Sequence, residues 1–410
     1  MGPSSDGPVA LFIGYHTLFP KSSDAPPMTW MPREVGFRSF GVPWGSVAIE
    51  GNETRISGGF EVLADGERRP LSYQETITPQ LIFHRVEMKP PQDKVLSKLA
   101  QANPDALISF HPELQYVGTK WGAELCFREA EKLGIRVARP ETFLVEKQEM
   151  AEKLKEFAES YPLIFKPAEG SMGRGIHFSD SGTFDSVVQD VIKSGPDRFV
   201  SQKLIVNPIS LDGRKLDLRL YALVSSFRPL RFEVYREGIV KIAAKPSDPD
   251  GSLDPLSLLT NCSFRASQGM EVENLTMSQL LDELQSRGYR VDNFWQRIDA
   301  LAESVFESYA QWEPLATSPD LSRLVLLTGI DILLVESEDG IEPLFIESNH
   351  TPFLYNFGPD AVEEGLLRTI RLWLTSLYEM CNARSDETQG SGHKGLPQTA
   401  PKNRVTSFTF

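Results

Sequence analysis

Apolar residues fall along the chain either in short continuous runs or in stripes three to four residues apart. The first spacing predicts strands and the second helices. Residues 9–15 (VALFIGY), 81–86 and 106–110 are short apolar runs and read as strands. Residues 120–133 (KWGAELCFREAEKL) read as a helix, stopped by Gly134. Strands alternating with a helix predict an α/β lead domain over residues 1–138. Residues 20–45 are rich in Pro, Gly and Ser and read as loop.

A second unit, residues 139–206, opens with a helix over 148–160 that sets Met150, Leu154 and Phe157 on one face. An apolar strand follows over 162–167 (PLIFKP), then a glycine-rich turn, a strand over 175–178 and another over 199–206 (FVSQKLIV). The third unit, residues 207–383, begins with paired strands over 215–225 and 230–235 around Phe227-Arg-Pro. A polar loop over 244–256 separates them from helices over 277–287 and 294–312, and strands over 324–335 and 343–348 come next. A long amphipathic helix over 360–380 aligns Val362, Leu366, Ile370, Leu374 and Leu377 in one stripe. Residues 384–410 are polar and rich in Gly, Ser and Pro, and read as a flexible tail.

Composition narrows the function classes. The 410 residues suffice for two or three packed subdomains. A formal net charge of −14 argues against a nucleic-acid binder, which shows a basic face. Cys126, Cys262 and Cys381 form no CxxC pair. So sparse a set reads as buried small hydrophobes in a reducing compartment. No apolar run reaches eighteen residues, so no membrane span is expected. The start at Met1 lacks the charged and apolar regions of a secretory signal, and a cytoplasmic location is the expectation. Oligomeric state is not legible.

Three segments carry candidate chemistry. Lys166 ends a strand and faces a turn holding Gly170, Gly173 and Gly175. Such glycines let backbone amides approach phosphate oxygens, and lysine adds a point charge. Glycine-rich strand turns also occur without a ligand, so both readings stand at this point. No GxxxxGK[ST] sequence occurs, which argues against a Walker-type NTPase.

In the second segment, Lys215-Leu-Asp-Leu-Arg-Leu-Tyr, alternation puts Lys215, Asp217 and Arg219 on one face and the leucines on the other. The charged face is either a solvated edge or the wall of a cleft that grips phosphate. The third pairs Gly329-Ile-Asp with Phe345-Ile-Glu-Ser-Asn-His-Thr-Pro. Asp331 inside an apolar strand is costly unless paired or metal-bound. Glu347 and Asn349, two apart, share a face. If the strands pair across the turn at 337–340, three oxygens converge in a set that suits Mg2+. A salt-bridged buried pair is the other reading. His350 adjoins this motif and either orients Asn349 or caps a turn.

Taken in order, these pieces resemble the tubulin tyrosine ligase-like branch of the ATP-grasp superfamily. The series is Pro140-Glu-Thr-Phe, Phe165-Lys-Pro with the glycine turn, Gln202-Lys-Leu-Ile with Asn207-Pro, and Gly213-Arg-Lys-Leu-Asp-Leu-Arg-Leu-Tyr. It continues as Tyr235-Arg-Glu-Gly-Ile-Val, Leu259-Thr-Asn, Gly329-Ile-Asp and Phe345-Ile-Glu-Ser-Asn-His-Thr-Pro, spanning residues 140–355. The resemblance implies an α/β (α+β) ATP-grasp fold behind an N-terminal α/β lead domain, with the ATP cleft between central and C-terminal subdomains.

It also implies roles. Lys166, Gly170, Ser171, Met172, Gly173, Arg174 and Gly175 would hold the phosphates. Gln202, Lys203, Leu204 and Ile205 would form the hinge around adenine. Lys215, Asp217 and Arg219 would line the nucleotide and acyl-transfer region, with Lys241 and Asn261 beside them. Asp331, Glu347 and Asn349 would bind Mg2+, as two ions. The implied reaction is ATP-dependent amide formation between a carboxylate and the amine of an amino acid or peptide, through an acyl-phosphate.

A small-molecule kinase on the same fold and a nucleotide-binding regulator without turnover are the alternatives. This chain has Lys241 where the family often has arginine, which removes a bidentate fork for carboxylate. It shows no basic cluster suited to acidic tubulin tails, so tubulin is not carried over as a substrate.

Overall fold

A computed structural model describes residues 7–390, apart from 14–26, 64–66, 72, 85–91, 171–172, 248–250, 262–263, 266–267, 270–273, 351 and 353–359. The lead unit runs β1 (Val9–Ile13), α1 (Pro27–Glu34), β2 (Arg38–Val42), β3 (Val47–Glu50), β4 (Glu53–Ile56), β5 (Phe60–Val62), β6 (Arg68–Pro70), β7 (Glu75–Ile77), β8 (Pro79–His84), α2 (Gln92–Ala102), β9 (Leu107–Ile108), α3 (Pro112–Val117) and α4 (Lys120–Lys132). Its main sheet has the order β6-β5-β2-β1-β8-β9, with β2, β1, β8 and β9 parallel. Parallel strands covered on both faces are read as continuous apolar runs, and β1 is buried along its length after Val9.

The expected loop over residues 20–45 is corrected in part: α1 and β2 occupy much of it. Pro27, Pro32 and Gly36 obscure the periodicity, but Met31, Phe37, Phe40 and Val42 are fully buried and tie the segment to the core.

The central unit consists of β10 (Thr142–Glu146), α5 (Met150–Ser160), β11 (Leu163–Pro167), β12 (His177–Ser179), α6 (Phe184–Ser194) and β13 (Arg198–Lys203). Its antiparallel sheet has the order β10-β13-β11-β12. Helix α6 has no counterpart in the sequence reading. It buries Phe184, Val188 and Val191 in a small core with Phe165, Phe199, Met150 and Leu154.

The C-terminal unit contains β14 (Ser210–Leu211), β15 (Arg214–Phe227), β16 (Leu230–Ile242), α7 (Pro255–Leu258), β17 (Asn274–Leu275), α8 (Met277–Ser286), α9 (Phe294–Gln311), α10 (Glu313–Ala316), β18 (Leu326–Ser337), β19 (Gly340–Asn349) and α11 (Asp360–Gly390). Its antiparallel sheet follows the order β17-β16-β15-β18-β19. Strand β16 runs past Tyr235 to Ile242, with a register shift opposite Leu220/Ala222 that keeps it paired through Gly238.

The expected tail also needs correction. Residues 384–390 continue α11, and Arg384 anchors them by donating to the Ser322 carbonyl at 2.9 Å. Residues 391–410 lie outside the described residues, as does Cys262. Cys126 and Cys381 are buried, and burial pushes both thiols up to about 12.

Alternation along β15 decides which face meets the cleft. Leu216, Leu218 and Leu220 are fully buried in a core shared with Ile298, Val305 and Phe306 of α9 and with Leu11, Ile13 and Ile82 of the lead sheet. The opposite face changes character along the strand. Tyr221 and Leu223 are buried with α11 residues Leu366, Ile370 and Trp373, whereas Asp217 and Arg219 precede them on the same face and carry charge.

Candidate active site

The charged end of β15 forms one wall of a cleft that opens to solvent, with about 680 Å³ of empty space between its walls and in its mouth. The opposite wall is Lys166 and the glycine turn of the central unit, and α7 with Leu259, Thr260 and Asn261 closes a third side. Lys120, Lys166, Arg174, Lys215 and Lys241 line the cleft against Asp217, Asp331 and Glu347. The cleft is therefore locally cationic in a chain of net charge −14.

Strand register builds the C-terminal wall. Arg219 lies opposite Asp331, and Asp331 lies opposite Glu347. Asp217 lies opposite Lys241. Arg219 grips both oxygens of Asp331, through Nε on Oδ1 and through Nη2 on Oδ2 at 2.9 Å. Lys241 Nζ reaches Oδ2 at 2.9 Å. Burial alone would raise the Asp331 carboxyl, but the charges of Arg219 and Lys241 overcome it and hold Asp331 well below the usual carboxylate range. The same contacts push Arg219 further up against the lowering effect of its own burial.

Asp217 is held differently. Its Oδ2 accepts from the Thr260 hydroxyl at 2.5 Å and from Lys215 Nζ at 3.2 Å. Lys215 also donates to the Leu258 carbonyl at 3.1 Å. Asp217 Oδ1 is buried without a hydrogen-bond partner among the described residues. A buried carboxylate oxygen without a partner asks for an explanation, and Asp217 lines the cleft.

The central wall carries Lys166, which donates to Gln202 Oε1 at 2.6 Å, and Gln202 in turn donates to the Thr142 hydroxyl at 3.0 Å. Burial pushes the Lys166 ammonium down to about 8, partly offset by Glu347. Gly170 and Gly173 adopt φ of +123° and +74°, conformations open to glycine at little cost. A Cβ on Gly173 would stand 3.4 Å from the Asn261 side chain, so the turn and the α7 side approach closely. Ile164, Ile176 and Leu259 line the cleft and cluster with Leu204, which brings the segment from Gln202 to Ile205 close to this apolar strip. Lys203 instead turns outward, its ammonium 3.5 Å from the Tyr161 ring centroid. Ser171 and Met172 lie outside the described residues.

Of the three residues expected to bind metal, the strand register brings two together. Asp331 and Glu347 do face each other, but Asp331 is already paired with two cations, and the residues lining the cleft extend through Glu347 without reaching Asn349. Glu347 Oε2 lies 3.5 Å from Lys120 Nζ. The donor chemistry still fits a divalent cation. A carboxylate offers about four lone-pair sites, so Asp331 and Glu347 retain acceptor capacity on one face. His350 does not enter the cleft. Burial pushes it down to about 4, and its Nε2 lies 3.3 Å from the Ser348 hydroxyl, which is 2.7 Å from Tyr309 Oη.

Lys120 was not anticipated from sequence. It belongs to the lead unit, yet its Nζ donates to the Gly170 carbonyl at 2.8 Å. One signal was available: Lys120 opens α4 directly after the Thr119 cap. A cation in the first turn opposes the helix dipole, a placement that asks for a reason outside the helix.

The model of the tubulin-tyrosine ligase family matches residues 104–361. The human protein named probable tubulin polyglutamylase TTLL2 is 32% identical over 204 residues, covering 47% of this chain and 31% of that protein. Its mouse counterpart is 30% identical over 251 residues, covering 60% and 43%. Mouse tubulin polyglutamylase TTLL6 is 31% identical over 204 residues, covering 46% and 24%. The chain thus spans less than half the length of these curated relatives.

Proposed function

The chain belongs to the tubulin-tyrosine ligase family, whose fold is of the ATP-grasp type, and from that premise we propose that it is an ATP- and Mg2+-dependent carboxylate–amine ligase. In the proposed reaction a carboxylate oxygen attacks the γ-phosphorus of ATP and ADP leaves. The amine nitrogen then attacks the acyl carbon, phosphate leaves, and the amine gives up a proton as the amide forms.

The observation that carries the reading is the set of lysines and arginine converging from three units on one cleft that also holds two facing carboxylates. Phosphoryl transfer asks the protein mainly for positioning and charge neutralisation. Lys166, Arg174 and the turn from Gly170 to Gly175 would take the phosphates. Gln202 to Ile205, with the apolar strip, would flank the adenine. The unpartnered Asp217 Oδ1, beside Lys215 and Thr260, suits a sugar hydroxyl. Arg219 and Lys241 would face the acyl group and Asn261 the phosphates. Mg2+, as two ions held through Asp331 and Glu347, would neutralise charge on the transferring phosphoryl group.

The printed names of the relatives make glutamate the first amine to test and a tubulin peptide the first acceptor. The sparse cysteines suit a cytoplasmic setting. The protein is incubated with ATP, Mg2+, glutamate and acceptor peptide. ADP with a peptide one glutamyl residue heavier supports the reading. A phosphorylated product in place of the conjugate would turn it into a kinase, and nucleotide binding without ADP under any substrate would refute both.

A further inference from the structure

The glycine turn belongs to the central unit, but two neighbouring residues of the lead helix reach across to it. Lys120 bonds the Gly170 carbonyl. Trp121, next along α4, lies under the guanidinium of Arg198, 5.1 Å from ring centroid to Cζ. Arg198 opens β13 and is itself tied to the start of the turn in two ways. Its backbone carbonyl accepts from Ala168 N at 3.0 Å, and its Nη2 lies 3.6 Å from Glu169 Oε1.

We propose that the contact of Trp121 with Arg198 is a clasp between the lead helix and the central sheet, and that it positions Lys120 and the Gly170 carbonyl for the nucleotide phosphates. Trp121 and Arg198 are positioning residues in this account; they act through Lys120 and the turn. The functional half of the proposal rests on the nucleotide reading of the cleft.

The geometry explains why a clasp is needed at this point. The central unit packs around its own small core, and α4 also reaches it through Arg128, which donates to the Thr142 carbonyl of β10 at 2.8 Å but does not touch the turn. Lys120 alone makes a poor tether, because a lysine stem is flexible. Trp121 is a rigid plate, and stacking of a planar guanidinium on it fixes both separation and orientation. The contact is half exposed and weak, which leaves the central unit free to shift when ligand arrives. It adds a bias toward one arrangement rather than a lock.

Two measurements on the full chain decide the matter. The first needs no nucleotide: hydrogen exchange at the Ala168 amide, which bonds the Arg198 carbonyl, in the wild type, Trp121→Ala, Arg198→Ala and the double variant. Each single variant should speed exchange there about fivefold, which corresponds to about 1 kcal/mol. The double variant should add nothing further, and exchange in β15 should not change. Trp121→Phe and Arg198→Lys should restore most of the protection. Unchanged exchange at this amide, or additive single effects, would overturn the clasp.

The second measurement is the KM for ATP. It should rise about fivefold in either alanine variant while kcat stays within about twofold. An equal fall in kcat with unchanged KM would overturn the positioning role. A wild type that fails to bind ATP would refute the nucleotide reading and with it the functional half, while the exchange data would still establish or remove the clasp.

Discussion

The central unit and the C-terminal sheet face each other across one cleft, yet they are fixed by opposite means. The central unit closes on itself, with Phe165, Phe199, Leu154 and Val188 in a separate core. The C-terminal sheet has no core of its own. Its leucine face merges with the lead sheet, and Val325 N donates to the Ile108 carbonyl at 2.9 Å. Arg323, buried, donates to the carbonyls of Ala100, Asn103 and Ala106.

The difference extends to the charges. On the welded wall, Arg219, Lys241 and Asp331 satisfy one another and belong to the fold as much as to the site. On the other wall, Lys166 is buried beside a neutral amide, and Glu347 offsets the cost of that burial only in part. One wall is prearranged by its own ion pairs; under the proposed function the other would gain its counter-charge from the nucleotide.

Breaking the welded wall should give the largest effect. Asp331→Asn leaves two buried cations without their carboxylate, and removing one partner of a buried ion pair costs roughly 3–5 kcal/mol. Thermal unfolding should show the whole chain destabilised. A melting temperature close to wild type would mean that Asp331 is not structural and would remove the contrast between the walls.

Core truncations test whether the two walls unfold separately. Phe165→Ala and Leu218→Ala each delete a fully buried side chain, a loss of about 2–5 kcal/mol. Hydrogen exchange should show residues 142–203 opening alone in Phe165→Ala. Leu218→Ala should instead weaken the lead and C-terminal units together. Uniform loosening in both variants would show that the separate core is not a separate cooperative unit.

Glu347→Gln keeps the size of the side chain and removes its charge from the cation-facing side. Because a bound metal supplies several kcal/mol of transition-state stabilisation, turnover should fall by about a hundredfold or more, with little change in melting temperature. Full turnover would remove Glu347 from the metal set.

The smallest expected effect is the pH dependence of ATP affinity, measured by calorimetry. With the Lys166 ammonium pushed down to about 8 by burial, its charged fraction falls as pH rises through that value. Affinity should weaken by up to about tenfold from pH 7 to 9, with proton uptake on binding near pH 8. The stability of the ligand-free protein should move the other way. Between about 8 and the usual 10.5 the folded state binds fewer protons than the unfolded chain, so this group makes folding more favourable as pH rises across that window. Lys166→Met should flatten both profiles, and a flat wild-type profile would place Lys166 outside phosphate binding.

Local pattern carried much of this protein. Period-two alternation assigned Lys215, Asp217 and Arg219 to one face of a strand and the leucines to the other. Periodicity likewise marked α4, α9 and most of α11, and the ordered motifs pointed to the family. Where Pro and Gly interrupted the period, as in α1, or where a strand continued past a glycine, as in β16, the local signal ended before the element did.

The tertiary structure alone decided which charges meet. Asp331 is held by residues 112 and 90 positions away, and Lys120 reaches a turn 50 positions along the chain. Those pairings depend on strand register and on how separate units pack against each other. Both are set by the summed burial of distant apolar faces, which no short window of sequence contains.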